Sequence, residues 1–164
     1  MEEVTKIYPA NKNKKVGFIS SSGGHFEQLM MLKPLMETYD SFVVTEKTNY
    51  NNFSKDNRIY LLKQINRKEK LFLFILIMNI IYSISIFLKE KPDVLISTGV
   101  LSTIPLSIIA KLFKTKIIYI ESFAKINSPT LTGKLLYKIA DRFYVQWEPL
   151  LKYYPNAIYI GGIY

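Results

Sequence analysis

Cysteine is absent from this sequence, and histidine and tryptophan occur once each, as His25 and Trp147. Without cysteine there are no disulfides and no thiolate-held metals, which suits a reducing cytoplasm. One histidine and no cysteine do not supply the ligands of a structural zinc site, so neither a metal nor another cofactor is expected. No GxSxG nucleophile elbow occurs. The glycine-rich stretch ISSSGGHFEQL (Ile19–Leu29) is not GxGxxG and has no P-loop lysine. Residues 1–14 read as a polar, charged tail with no apolar signal-peptide core. Repeats, low-complexity tracts and internal linkers are missing too. So are RNP, KH and helix-turn-helix patterns, and the basic residues are scattered, which argues against a nucleic-acid partner.

What is present points to one globular domain over residues 1–164. The chain is 49% hydrophobic and 14% aromatic, enough to build a core. Lysine and arginine number 22 against 13 acidic residues, a formal charge of +9. Such an excess suits a polyanionic partner: nucleic acid, anionic headgroups or a phosphorylated substrate.

Strand and helix patterns alternate. KVGFIS (15–20), SFVVT (41–45), RIYLL (58–62), DVLIS (93–97), KIIYI (116–120), RFYVQ (142–146) and AIYI (157–160) read as strands. Residues 25–38, with Leu29, Leu32 and Met36 at helical spacing, read as a helix, as do 101–113 and 130–140. The asparagine-rich KTNYNNFSKDN (47–57) reads as a loop. The alternation predicts an α/β fold with a parallel, Rossmann-like sheet covered on both faces. Ligands of such sheets sit at the carboxyl ends of strands. The unusual polar residues fall there: Ser20–His25, Ser97–Gly99, Glu121-Ser122 and Gln146-Trp147-Glu148.

Leu71–Leu88 is 18 residues without a charge, between basic flanks that include Arg67, Lys68, Lys70, Lys89 and Lys91. At ~1.5 Å per residue it is about 27 Å long, close to a bilayer's thickness. A single crossing would put earlier and later strands on opposite sides of a membrane, where they could not share a sheet. Two positions remain: a crossover helix buried on the sheet, or one whose surplus apolar face meets the membrane interface or another protein. In the membrane reading Leu71, Phe72, Phe74, Ile77, Ile81 and Phe87 enter the interface.

Glycines let a backbone approach a ligand closely, and the start of a helix attracts negative charge. The Ser20–His25 turn is therefore either an anion site or a plain strand-to-helix turn. His25 is of a type to cap the helix, hydrogen-bond a phosphate or act as a base near neutral pH. Glu121 is either a solvated strand-end carboxylate or an acceptor for a sugar hydroxyl. Trp147 reads as core before ligand platform.

The stretches SSGGHFEQL, PDVLISTG and IIYIESFAKINSPTLTGKLLYKIADRFYVQWEPL resemble the small subunit of two-chain glycosyltransferases. That subunit anchors the UDP-N-acetylglucosamine transferase that adds the second sugar to dolichol-linked oligosaccharide. Bacterial relatives of the PssD and CpsF type serve exopolysaccharide and capsule assembly. The resemblance runs from about Lys15 to Gly162. A more distant likeness is to the N-acetylglucosaminyltransferase of peptidoglycan lipid precursors, whose amino-terminal half also has a glycine-glycine-histidine loop.

The resemblance implies the amino-terminal, acceptor-side half of a split GT-B enzyme. A partner chain would carry the UDP-sugar site, and the acceptor would be linked to a polyprenyl diphosphate. Gly23, Gly24 and His25 would face that diphosphate, with Ser21, Ser22, Thr98 and Gly99 around it and Glu121 near the sugar. Either His25 or Glu121 would take the acceptor's proton. Eukaryotic members begin with a membrane-spanning anchor not seen in this sequence, so peripheral attachment at the cytoplasmic membrane face and a bacterial polysaccharide role are expected. The alternative is a recruitment module without catalytic residues.

Overall fold

Valine- and isoleucine-rich runs alternate with helical segments, and every strand they form pairs in parallel. The computed structural model describes residues 11–47, 58–66, 70–99 and 101–164. Strands β1 (Asn11–Ile19), β2 (Tyr39–Glu46), β3 (Ile59–Leu62), β4 (Val94–Ser97), β5 (Lys116–Ile120), β6 (Arg142–Val145) and β7 (Ile158–Tyr159) make one sheet. Its order is β3-β2-β1-β4-β5-β6-β7. Helices α1 (Gly24–Met30), α2 (Lys33–Thr38), α3 (Phe72–Glu90), α4 (Ile104–Leu112) and α5 (Leu131–Leu136) connect the strands. The order proceeds outward from β1 to β3, then restarts on the other side of β1 at β4. A crevice therefore opens between the carboxyl ends of β1 and β4, where the two connections part.

Alternation along β1 separates the two faces. Val16 and Phe18 pack with Leu29, Leu32 and Met36 beneath α1 and α2. Ile19 packs on the opposite face with Leu95, Ile86, Phe87, Leu106 and Ala110 beneath α3 and α4. Gly17 lies on that second face with no room for a side chain: a Cβ there would stand 2.4 Å from Leu95 and 2.5 Å from Phe42. A third cluster, Tyr119, Leu136, Phe143 and Tyr154, fills the region under α5.

Several boundaries differ from the sequence reading. β1 starts at Asn11, inside the expected polar tail, and Asn11–Lys14 are exposed, which is why they read as polar. The helix expected over 25–38 is two, separated at Met31-Leu32 ahead of Pro34, whose missing N–H cannot continue a helix. The helix expected over 101–113 begins as a 3-10 turn, Leu101–Thr103, before Pro105. α5 is shorter than 130–140 and is capped by Thr130, whose Oγ1 accepts from the Gly133 N–H at 2.8 Å. Most of the expected loop over 47–57, and Arg67 and Lys68, lie outside the described residues.

α3 is inside out. Its buried residues are Asn79, Ser83, Ile86, Phe87 and Glu90, so the sheet-facing side carries three polar groups beside two apolar ones. Asn79 extends the β3 ladder with its amide, accepting from Lys63 N–H (3.0 Å) and donating to Lys63 C=O (2.8 Å). Glu90 accepts from Tyr60 and pairs with Lys15 (3.2 Å) and Arg58 (3.1 Å); Arg58 also reaches Asp40. Burial pushes the Glu90 carboxyl up, but those hydrogen bonds and charges outweigh it and hold it below the usual carboxylate range. The same contact, after burial, raises the Tyr60 phenol to about 12.

The outward side holds Leu71, Leu73, Phe74, Ile77, Ile81, Ile84 and Leu88, all exposed. Each forgoes roughly 1 kcal/mol or more that burial would return, so α3 is not a plain core helix. Of the residues expected at a membrane, Leu71, Phe74, Ile77 and Ile81 do face outward. Phe72 is half-buried. Phe87 is a correction: it is 6% exposed, belongs to the core and packs against Phe113 with ring centroids 4.8 Å apart. α3 also joins β3 to β4 within one sheet, so it lies along the sheet instead of separating its strands.

Candidate functional site

The crevice between β1 and β4 is walled by the Ser20–His25 turn and by Ser97–Gly99. Three residues of the turn are open. Ser22 is half-buried, and Gly23 and Gly24 are exposed. Gly23 has φ +70°, a conformation that only glycine adopts freely. Gly24 has no such constraint, and a Cβ on it would meet nothing within 4 Å. Neither backbone strain nor internal packing calls for glycine at 24. The Phe26 and Glu27 amides turn back to the Gly23 carbonyl at 2.8 and 3.1 Å. The amides before them are left for an external acceptor, as at the start of any helix.

The other residues expected to bind phosphate, Ser21, Thr98 and Gly99, are buried. Ser21 is buried; its hydroxyl donates to Ser22 C=O, and its own carbonyl accepts from Ser20 and Thr45. Thr98 is fully buried, and its hydroxyl donates to His25 C=O at 3.0 Å. Gly99, at φ +114°, is buried and closely faced by the Tyr119 hydroxyl; a Cβ would stand 3.1 Å from it. These three build the crevice wall.

His25 is half-buried at the first turn of α1. Its Nδ1 lies 3.0 Å from Thr98 C=O. A carbonyl only accepts, so Nδ1 carries the proton and, in the neutral ring, Nε2 holds the lone pair. The crevice thus combines an open glycine backbone suited to an anion with one imidazole of fixed tautomer that can take a proton.

Glu121 stands elsewhere. It is fully buried, and its carboxylate accepts five hydrogen bonds: from the Ser122 and Thr130 N–H groups and the Thr130, Tyr154 and Tyr119 hydroxyls. Burial first, and the carboxylate after it, push both phenols far above their ordinary range, so both stay protonated donors. Gly133 closes over the group: a Cβ there would lie 2.0 Å from Glu121 Oε2. The backbone carbonyl of Glu121 accepts from Gln28 (3.3 Å) and Gln146 (2.8 Å), both buried. Sequence reasoning pointed to Glu121 as a candidate base. The structure makes it the anchor of the 121–130 loop, with no lone pair turned outward. Thr130, Gly133 and Tyr154 escaped sequence reasoning, since nothing local links them to Glu121. Trp147 is half-buried; it donates to Phe123 C=O at 2.7 Å, and its ring packs on Phe123.

A cavity of about 530 Å³ opens at the other end of β2, lined in part by Lys12, Met36, Asp40 and Arg58. Its cations are engaged: Lys12 donates to the Glu37 and Tyr39 carbonyls, and Arg58 pairs with Asp40.

A family model described as oligosaccharide biosynthesis protein Alg14 like matches residues 16–163. The chain belongs to the Alg14-like family. A UDP-N-acetylglucosamine transferase subunit from Yarrowia lipolytica is 30% identical over 93% of this chain and 82% of its own length. The Rattus norvegicus subunit is 25% identical over 98% of this chain and 88% of its own. The Candida albicans subunit is 41% identical, over 52% of this chain and 42% of its own. Among solved structures, Acinetobacter baumannii MurG superposes with TM-score 0.68 at 15% identity, over 83% of this chain and 42% of that one. UDP-N-acetylglucosamine 2-epimerase from Rickettsia bellii gives 0.68 at 17% identity, over 92% and 45%. The chain therefore spans less than half of each of these two. Its fold is one Rossmann-like half of a GT-B architecture.

Proposed function

We propose that this Alg14-like chain is the amino-terminal, acceptor-side half of a two-chain UDP-sugar transferase, acting as a single domain. The open Ser22-Gly23-Gly24 turn beside His25 carries the reading: it offers backbone amides and one oriented base at the crevice of a chain spanning half a GT-B fold. In this role the turn holds the diphosphate of a polyprenyl-linked sugar. His25 Nε2 takes the proton of the acceptor hydroxyl as its oxygen bonds to the donor's anomeric carbon. The bond from that carbon to UDP breaks, and UDP leaves on the partner chain, which stabilises its charge. UDP-N-acetylglucosamine, the donor in the names of the relatives, is the first to test.

The outward face of α3, with Leu71, Phe74, Ile77 and Ile81, meets the cytoplasmic membrane surface peripherally, bringing the crevice to the lipid-linked acceptor. Bacterial exopolysaccharide or capsule assembly is the setting proposed from the sequence likeness to PssD- and CpsF-type proteins.

The test is transfer of radiolabelled sugar from UDP-N-acetylglucosamine to a polyprenyl-diphosphate-linked acceptor in vesicles, with the partner chain present or absent. Turnover is expected only with both chains, and His25→Ala lowers it about a hundredfold. Brisk turnover by the single chain, or indifference to the acceptor's diphosphate, sinks the proposal. A second reading, recruitment without chemistry, is favoured by the closure of Glu121, which removes one of two candidate bases. Full turnover by a recruited His25→Ala pair decides for it.

A further inference from the structure

Two helices of this chain end on a residue that their backbone disfavours. α3 is closed by Lys91 at φ 46°, and the turn after α4 places Lys114 at φ 62°. Glycine usually occupies such left-handed positions, because a Cβ crowds the next carbonyl. Among the described residues, these two are the non-glycine residues with positive φ. Neither lysine serves the fold through its ammonium. Both are exposed, and neither has an ion pair among the described residues, whereas Lys14, Lys15 and Lys111 pair with Asp93, Glu90 and Asp141.

The two helix ends are fastened side by side. Thr115 Oγ1 donates to Pro92 C=O at 2.9 Å, and Lys116 N–H to Asp93 C=O at 3.1 Å. Next to each lysine lies unburied apolar surface: Leu88 before Lys91, and Leu112 (77% exposed) and Phe113 (63%) before Lys114. The ring contact between Phe113 and the buried Phe87 seats this surface against α3. Uncompensated cations at the rim of an apolar plane match the interface of an anionic bilayer, which offers hydrocarbon and phosphate at adjoining depths.

We propose that Lys91 and Lys114 form a clamp for anionic phospholipid headgroups, and that α4 joins α3 in a two-helix docking plane through Leu112 and Phe113. This rests on the membrane contact put forward above and adds lipid selectivity and orientation to it. The lysines stand at the amino ends of β4 and β5, the sheet edge opposite the Ser22–His25 turn. The clamp holds the carboxyl end of α3 at headgroup level, and the exposed apolar face of the helix lays the rest of it along the membrane.

Flotation of the full chain on phosphatidylcholine vesicles, with and without phosphatidylglycerol, tests this against a Lys91→Gly/Lys114→Gly variant. Glycine relieves both left-handed positions, so Tm is unchanged or a few degrees higher. Affinity for the anionic vesicles falls about fivefold per lysine, roughly 25-fold for both. Lys138→Ala, a charge lost elsewhere on the surface, has a far smaller effect. If the folded double-glycine variant binds anionic vesicles like wild type, or wild type does not prefer them, the clamp is wrong and the docking plane stands. If wild type floats with neither vesicle, membrane contact itself is wrong. Lys91→Gln/Lys114→Gln removes the same charges should the glycine variant fail to fold.

Discussion

His25 and Thr98 hold each other by reciprocal hydrogen bonds: imidazole Nδ1–H to the Thr98 carbonyl and the Thr98 hydroxyl to the His25 carbonyl, each 3.0 Å. The pair is 73 residues apart in the chain and ties the turn after β1 to the end of β4. It fixes both the position of the ring and the nitrogen left to accept a proton. Thr98 thus positions the His25 ring.

Thr98→Val keeps the side chain's shape and removes the donor. The half-buried His25 carbonyl then loses the Thr98 donor, at about 0.5–1.5 kcal/mol of stability. In the two-chain assay kcat falls about tenfold or more with KM little changed, because a small displacement of a base is costly. Thr98→Ser restores both. A fall in stability with kcat intact would show that the pair serves the fold alone.

Gly24 and Gly23 separate ligand space from backbone need. Gly24→Ala meets no protein atom and gains about 0.5–1 kcal/mol in helix propensity, yet affinity for the diphosphate-linked acceptor drops about tenfold. Gly23→Ala, at φ +70°, loses about 1–2 kcal/mol of stability instead. Isothermal titration with the acceptor, beside thermal melts, reads both. Unaltered acceptor binding by Gly24→Ala would move the diphosphate away from this turn.

Glu121→Gln sets an amide against donors that a carboxylate accepts, and Gly133→Ala drives a methyl into the same oxygen. Each costs about 3 kcal/mol or more, measured as a shift in urea midpoint. A Glu121→Gln variant with wild-type stability and a hundredfold loss of turnover would return Glu121 to a catalytic role.

Glu90, Asp93 and Asp141 all titrate below their ordinary range. Asp93 is lowered by the Lys15 N–H and Lys14; Asp141, despite burial, by the Ile117 N–H and Lys111. A depressed carboxyl adds stability that is present above its unfolded value, about 4, and is lost as pH falls through the folded one. Urea midpoints are expected to be flat from about pH 7 to 5 and to fall below about pH 4. In Asp141→Asn the slope is shallower. An unchanged slope would assign acid sensitivity to other groups.

The strands were legible because a parallel sheet buried on both faces requires short runs of β-branched residues, and VGFI, FVVT, VLIS and IIYI are such runs. The glycine turn was legible through Gly23, Gly24 and His25, whose types have few other uses between a strand and a helix. Ser20, Ser21, Ser22 and Thr98 carry the same kind of polar signal, yet the Ser21 hydroxyl is spent on the Ser22 carbonyl, that of Ser22 on Glu46 and that of Thr98 on the His25 carbonyl of α1. Phe87 and Ile81 look alike in an uncharged run. Only packing on Phe113 and Ala110 makes one core and the other surface.

Sequence alone determined the parallel α/β sheet and the place of a glycine turn at a strand's carboxyl end, since periodicity and glycine chemistry are local properties. The tertiary structure decided which polar atoms remain free there. It closed Glu121 inside a shell of donors drawn from residues 9 and 33 positions away, fixed the His25 tautomer through Thr98, and turned the polar seam of α3 inward. Those outcomes depend on which groups distant in the chain compete for the same hydrogen bonds, and that competition exists only once the chain has folded.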